Sequence, residues 1–294
     1  MKIIQAKKQD LGRIGQYMAR MNMNQYTGCT YLGEDEQEII EYLYEIFHEN
    51  EESCYYIEEN GVIVAAIAGD RVEDNMRVEV LGPYVNQEIE QKETYAQLLI
   101  RTLQKVAPHF QLTFFHPCAN TFMRQVLMQM NAKVKGRCYG MELDLDKQNL
   151  LGTPKYPYEF YSKQDSDTKD VAVQIANLHN KIFQGAYYNG TSLVKQVDEC
   201  NWLVYCMDHG RVTAYAAFNA EEGGYLDFLA TALEERNKGY ARTLLYAVNK
   251  KLKSYGCQSV CFTVDDDDVE AIQLYRTSGY QETSYSQTYV LETN

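Results

Sequence analysis

The chain has 294 residues, 45% hydrophobic and 23% charged, as expected of a soluble globular protein long enough for two domains. Its formal net charge of −13 argues against nucleic acid or an anionic membrane surface as a partner, since both reward Lys and Arg. It suits a cationic acceptor such as a primary amine, or simply keeps the protein in solution. The first residues hold no apolar signal segment, and no stretch approaches the ~18 apolar residues of a membrane span, so a cytoplasmic protein is expected. None of the eight cysteines stands in a C-x-x-C or zinc spacing, and no metal is expected.

In chain order, Lys8-Gln9-Asp10 leads into a helical pattern with Leu11, Ile14, Met18 and Met21 on one face. Residues 55–67 alternate and carry β-branched side chains around Asn60-Gly61, which predicts a tight hairpin. The segments 77–81 and 120–127 follow, and similar segments recur at 225–229 and 268–275. Two of the five prolines, Pro154 and Pro157, sit in 148–158, which predicts an extended linker.

After it the order repeats. Lys163-Gln164-Asp165 precedes Val171, Ile175, Leu178 and Ile182 at helical spacing, and residues 202–218 form a second hairpin pattern around Gly210. Gly61 and Gly210 are 149 positions apart; Leu81 and Leu229 are 148 apart, as are Asn120 and Asp268. Several matches in one order at one offset predict two copies of an α/β domain, at 1–147 and 159–294, each a mixed sheet flanked by helices.

The chemistry concentrates in the second copy. The strand 225–231 runs into a loop, Arg236-Asn237-Lys238-Gly239-Tyr240-Ala241, and a helix follows with Leu244, Leu245, Val248 and Leu252 on one face and Gly256 to end it. A glycine-containing loop at a helix N-terminus collects unpaired N–H groups and the positive end of the helix dipole, which suits a phosphate. Gly239 and Ala241 lack bulk there, and Arg236, Lys238 and Arg242 reverse the local charge of an acidic chain.

The segment Arg236-x-x-Gly239-x-Ala241 resembles the pyrophosphate loop of the GNAT acetyltransferases. The segment 268–280 resembles their second motif at Ala271, Leu274, Tyr275 and Gly279, with Tyr280 in place of Phe and Asp268 in place of Asn. The resemblance implies an α/β (α+β) fold of two tandem GNAT-like domains with mixed, mostly antiparallel sheets. It implies acetyl-CoA as co-substrate, with pantetheine on the main chain of Leu229, Ala230 and Thr231 and pyrophosphate on residues 236–242. Asp268, in place of the family's Asn, weakens the polar contact that the resemblance implies near the coenzyme, though it is still assigned to the coenzyme site and suits a helix N-cap. An amine of a small molecule or peptide then attacks the thioester directly, and Tyr275 matches the family's proton donor to the departing thiolate. Asp227 is the one side-chain base the sequence offers, placed by strand alternation on the face of Leu229 and Thr231, with a water chain as the alternative. A transferase of another acyl-CoA and a non-catalytic acetyl-CoA sensor remain alternatives.

The offset of 148 maps Arg236, Gly239 and Ala241 onto Glu88, Gln91 and Glu93. Three glutamates and no glycine in 87–93 would repel a phosphate and crowd it, and Leu127 stands where Tyr275 does. The first copy is therefore expected to bind no coenzyme and to shape the acceptor site, support a homodimer or stabilise the second copy. Tyrosine-rich stretches at 184–189 and 285–289 are candidates for lining the acceptor site or for packing.

Overall fold

Both hairpin turns hold two successive residues in the left-handed region, Asn60 and Gly61 at φ 51° and 80°, His209 and Gly210 at 49° and 78°. That geometry matches the right-handed twist of the strands it joins. The computed structural model describes residues 2–73, 76–146, 153–164, 169–184, 186, 188–220 and 223–292. The predicted repeat is present, and its two copies form separate compact units.

The first unit runs through β1 (Ile3–Gln5), α1 (Leu11–Asn22), α2 (Glu36–Glu49), β2 (Cys54–Glu59), β3 (Val62–Val72), β4 (Arg77–Val85), α3 (Lys92–Val106), β5 (Gln111–Pro117) and α4 (Thr121–Gln129). Its strands pair in the order given, antiparallel except for the parallel pair β4 and β5. α1 and α2 bury Leu11, Ile14 and Leu43 on one face, while α3 and α4 bury Leu99, Ile100 and Val126 on the other.

The strand β6 (Lys133–Asp144) follows, then β7 (Glu159–Phe160), α5 (Lys169–Ile182), α6 (Gly190–Gln196), β8 (Asn201–Asp208), β9 (Arg211–Asn219), β10 (Tyr225–Thr231), α7 (Tyr240–Tyr255), β11 (Ser259–Asp265), α8 (Val269–Thr277) and β12 (Gln281–Leu291). In the second unit the strand order is β6-β11-β10-β9-β8-β7, with β10 and β11 parallel. α7 and α8 cover one face through Leu244, Val248 and Ile272, and α5 and α6 cover the other through Val171, Ile175 and Leu193.

The units divide the chain differently from the expected 1–147 and 159–294. One comprises Met1–Cys138 with Ser284–Asn294, the other Tyr139–Thr283. The boundary thus falls inside β6, and the last strand returns to the first unit. There it pairs antiparallel with β5, from Ser286↔Pro117 to Leu291↔Leu112, and buries Tyr289 and Leu291 in the core. Pairing satisfies the backbone groups that β5 would otherwise expose, a gain that no local sequence pattern announces. Of the expected linker, 148–152 lies outside the described residues, and 153–158 belongs to the second unit.

The two copies match most closely at their helix starts. α3 follows Gln91 and α7 follows Gly239, 148 positions on. Asn120 caps α4 by accepting from the Met123 N–H at 3.0 Å, and Asp268 caps α8 by accepting from Ala271 N–H at 3.0 Å. Among the described residues no helix is long and apolar enough to cross a membrane.

One buried group makes the first unit sensitive to acid. His116 on β5 is 2% exposed, its Nδ1 lies 3.0 Å from the Gly28 carbonyl, and burial pushes its pKa down from 6.5 to about 4. Between those values the unfolded chain takes up a proton that the folded chain refuses, so stability falls as pH drops through this window. At about 1.4 kcal/mol per pKa unit the loss approaches ~3 kcal/mol. Urea midpoints taken from pH 7 to pH 4 should fall, and His116→Gln should flatten that fall; equal slopes would show that His116 does not carry it.

Candidate functional site

The parallel strands at the middle of the second sheet part almost at once. β10 and β11 share the register pair Tyr225↔Cys261, whereas β4 and β5 hold four pairs, from Arg77↔Gln111 to Val80↔Phe114. Beyond Tyr225, β10 pairs with β9 as far as Thr231↔Ala214. Among the described residues nothing pairs Leu229, Ala230 or Thr231 with β11, so their outer main-chain groups face a gap.

The loop after β10 closes one end of that gap. A 3-10 turn at Leu233–Glu235 precedes Asn237 at φ 60° and Gly239 at φ 105°, and α7 starts at Tyr240. The first intrahelical bond runs from the Thr243 N–H to the Gly239 carbonyl at 3.2 Å. The N–H groups of residues 239–242 therefore lack helical acceptors, and the left-handed residues curl the chain into an anion-binding concavity. Arg242 spans to the far wall, donating to Thr277 Oγ1 at 2.9 Å and to the Thr277 carbonyl at 3.3 Å.

Between these walls lies a cleft of about 330 Å³. It brings together ten of the residues singled out in the sequence. Leu229 and Thr231 come from β10; Arg236, Asn237, Gly239, Tyr240, Ala241 and Arg242 from the loop and α7; Asp268 and Tyr275 from α8 and its cap. Glu235, Glu270, Ala271 and Leu274 complete the lining. Ala271 and Leu274 belong to the second motif, but no sequence signal singled out the two glutamates.

Tyr275 is 7% exposed and packs against Phe262 with ring centroids 4.3 Å apart. Burial raises its pKa well above the ordinary value of 10.0, so the phenol keeps its proton at neutral pH. Its hydroxyl forms no hydrogen bond among the described residues, which leaves that proton available at the cleft.

Three expected residues stand elsewhere. The β10 ladder shifts register between Leu226 and Phe228, a bulge that sets two successive residues on one face. Leu226 and Leu229 pack toward α7, while Phe228 and Ala230 pack toward α5. Asp227 falls on the α5 and α6 side, accepting from Asn219 Nδ2 at 3.1 Å and bordering a small separate pocket with Leu193 and Val197. The alternation that placed it beside Leu229 is broken by one residue, so it does not border this cleft. Asp227→Asn should leave turnover and the acid limb of the pH–rate profile unchanged; a lost acid limb would contradict this placement. Ala230 has its side chain 2% exposed in the core rather than in the cleft. Lys238 turns outward and pairs with Glu235 at 2.8 Å.

Gly239 owes its place to conformation rather than to bulk. A Cβ there would meet Lys155 Cδ at 3.5 Å and Tyr156 Cε2 at 3.9 Å, ordinary contacts, but φ 105° is a conformation side chains rarely adopt. Tyr285 to Tyr289 lie on β12 within the first unit, where Tyr289 is buried in the core. In the other tyrosine-rich stretch, Gly185 and Tyr187 lie outside the described residues, and Tyr188 packs on the core beneath α5 and α6.

At the corresponding positions the first unit carries different contacts. Gln125 Nε2 donates to Glu93 Oε1 at 3.1 Å and Gln97 Nε2 to Gln129 Oε1 at 2.8 Å, tying α3 to α4. Met123 and Leu127, at the positions of Ala271 and Tyr275, are buried in the core.

Residues 165–280 match the family model described as the acetyltransferase (GNAT) family, a span that contains both motifs. The whole chain is similar in fold to a GCN5-related N-acetyltransferase from Sphaerobacter thermophilus, at 14% identity and a TM-score of 0.75, covering 100% of this chain and 96% of that one. A tandem GNAT protein from the clavulanic acid biosynthesis pathway, solved without AcCoA, gives 14% identity and a TM-score of 0.67 over 100% and 98% of the two chains. A GNAT-family acetyltransferase from Colwellia psychrerythraea gives 12% identity and a TM-score of 0.57 over 99% of each. None of the curated proteins compared matches the chain in sequence.

Proposed function

We propose that residues 165–280, which match the GNAT acetyltransferase family model, form a domain that transfers an acetyl group from acetyl-CoA to a primary amine of a small molecule or peptide. The observation that carries the reading is the parting of β10 from β11 beside the open N-terminus of α7. One wall offers unpaired main-chain amides along an extended strand, which suits the amides of pantetheine. The other offers converging N–H groups with Arg236 and Arg242 nearby, which suits a pyrophosphate. The donor set thus fits the two halves of coenzyme A in the order in which they are joined.

When bound, acetyl-CoA supplies an acetyl group activated as a thioester. The protein's part is to orient it and to manage protons. Leu229 to Thr231 align the acyl arm, and the loop amides and Arg242 hold the phosphates. Tyr275, largely buried beside the core residue Phe262, holds a proton at Oη at the edge of the cleft. A buried, protonated phenol can give that proton to a thiolate as it leaves. The acidic surface, with Glu235 and Glu270 at the cleft, favours approach of an ammonium-bearing acceptor.

The test is release of free thiol from acetyl-CoA in the presence of a panel of primary amines, with hydrolysis in buffer as background. Amine-dependent release supports the transferase. Tight coenzyme binding with no release above background for any amine would instead favour a sensor of acetyl-CoA.

A further inference from the structure

The loop at the floor of the cleft is braced from behind by the segment just before β7. The Lys238 carbonyl accepts two hydrogen bonds, from Lys155 Nζ at 2.9 Å and from the Tyr156 hydroxyl at 3.1 Å. Tyr156 also stacks on Tyr240, the first residue of α7, with centroids 4.0 Å apart and planes 17° from parallel. Lys155 Nζ lies 5.1 Å from the centre of the Tyr156 ring, so the two donors form one group.

We infer that Lys155 and Tyr156 are positioning residues for coenzyme binding, which lock the Lys238–Gly239 peptide so that its N–H faces the cleft. The inference rests on the coenzyme reading of that cleft. In a trans peptide the carbonyl and the N–H point in opposite directions. Two donors that hold the Lys238 carbonyl on the strap side therefore turn the Gly239 N–H the other way.

The lock answers a weakness built into the loop. Glycine is needed at 239 for its φ of 105°, yet glycine also lets the preceding peptide rotate at little cost. A flipped peptide would aim the Lys238 carbonyl into the cleft, where its negative end opposes a phosphate, and would remove one N–H donor. Neither strap residue lines the cleft itself; both hold the Lys238 carbonyl, and Tyr156 also supports the Tyr240 ring. Neither has a counterpart in the pyrophosphate-loop pattern, because they lie about 80 positions upstream.

The test compares the full chain with Lys155→Met, Tyr156→Phe and the double variant, using calorimetry with coenzyme A and steady-state kinetics with two acyl donors. Each hydrogen bond to a neutral carbonyl corresponds to about a 5-fold change in affinity, so the double variant should bind coenzyme A about 20-fold more weakly. KM for acetyl-CoA should rise with kcat unchanged. KM for S-acetyl-pantetheine, which carries no pyrophosphate, should not move, and Lys155→Arg should restore much of the loss. Wild-type protein that binds no coenzyme A would overturn the coenzyme reading and this inference together. Wild-type binding with an equally tight double variant would overturn the strap alone, as would a loss that extends equally to S-acetyl-pantetheine.

Discussion

Gly239→Glu is expected to weaken coenzyme A binding by 100-fold or more while the second unit still folds. Two effects add. Any side chain at φ 105° is strained, at a cost of about 1–2 kcal/mol. The new side chain also leaves the loop on the side of Lys155 and Tyr156, where its bulk disturbs the two hydrogen bonds that hold the Lys238 carbonyl. The fold survives because the new Cβ meets only Lys155 and Tyr156 at ordinary contact distances. Gly239→Ala serves as the control, since it imposes the strain without the longer side chain against the strap and should keep most of the affinity. Calorimetry on the full chain should give one coenzyme per wild-type chain and none for Gly239→Glu. A second site surviving the substitution would assign coenzyme binding to the first unit as well.

That stoichiometry follows from how the two units differ at one shared position. Gln91 precedes α3 as Gly239 precedes α7, but at φ −87° it forms no left-handed curl. Glu93 is engaged with Gln125, and Met123 and Leu127 occupy the core where Ala271 and Tyr275 border a cleft. The first unit shares the fold and lacks these features at the matching positions.

Tyr275→Phe is expected to lower kcat by about 100-fold with coenzyme affinity unchanged, in line with the usual range for a general acid. The substitution removes one oxygen and keeps the ring packed on Phe262, so a large structural effect is not expected. The wild-type pH–rate profile should carry an alkaline limb above the ordinary tyrosine range. The protonated phenol is the active form, and burial raises the pH at which its proton is lost. In Tyr275→Phe that limb should disappear. Unchanged turnover at saturating substrate would remove Tyr275 from the chemistry and leave it a core residue.

Local rules account for the features the sequence determined by itself. Asn-Gly and His-Gly turns fix hairpins because only certain residues tolerate two left-handed conformations in a row. Asn120 and Asp268 mark helix starts because a short polar side chain can reach its own backbone three residues on. The loop 236–241 and the helix after it were legible for the same reason, as was the loss of that loop at 88–93. What only the tertiary structure decided depends on partners distant in sequence. The bulge in β10 arises in its pairing with β9 and moved Asp227 to the opposite face of the sheet. The return of β12 to the first unit was set by a free edge on β5, more than 160 positions earlier. Lys155 and Tyr156 carry no motif; they reached the back of the loop because the chain before β7 crosses there, and two hydrogen bonds to one carbonyl gave them a role no spacing could announce.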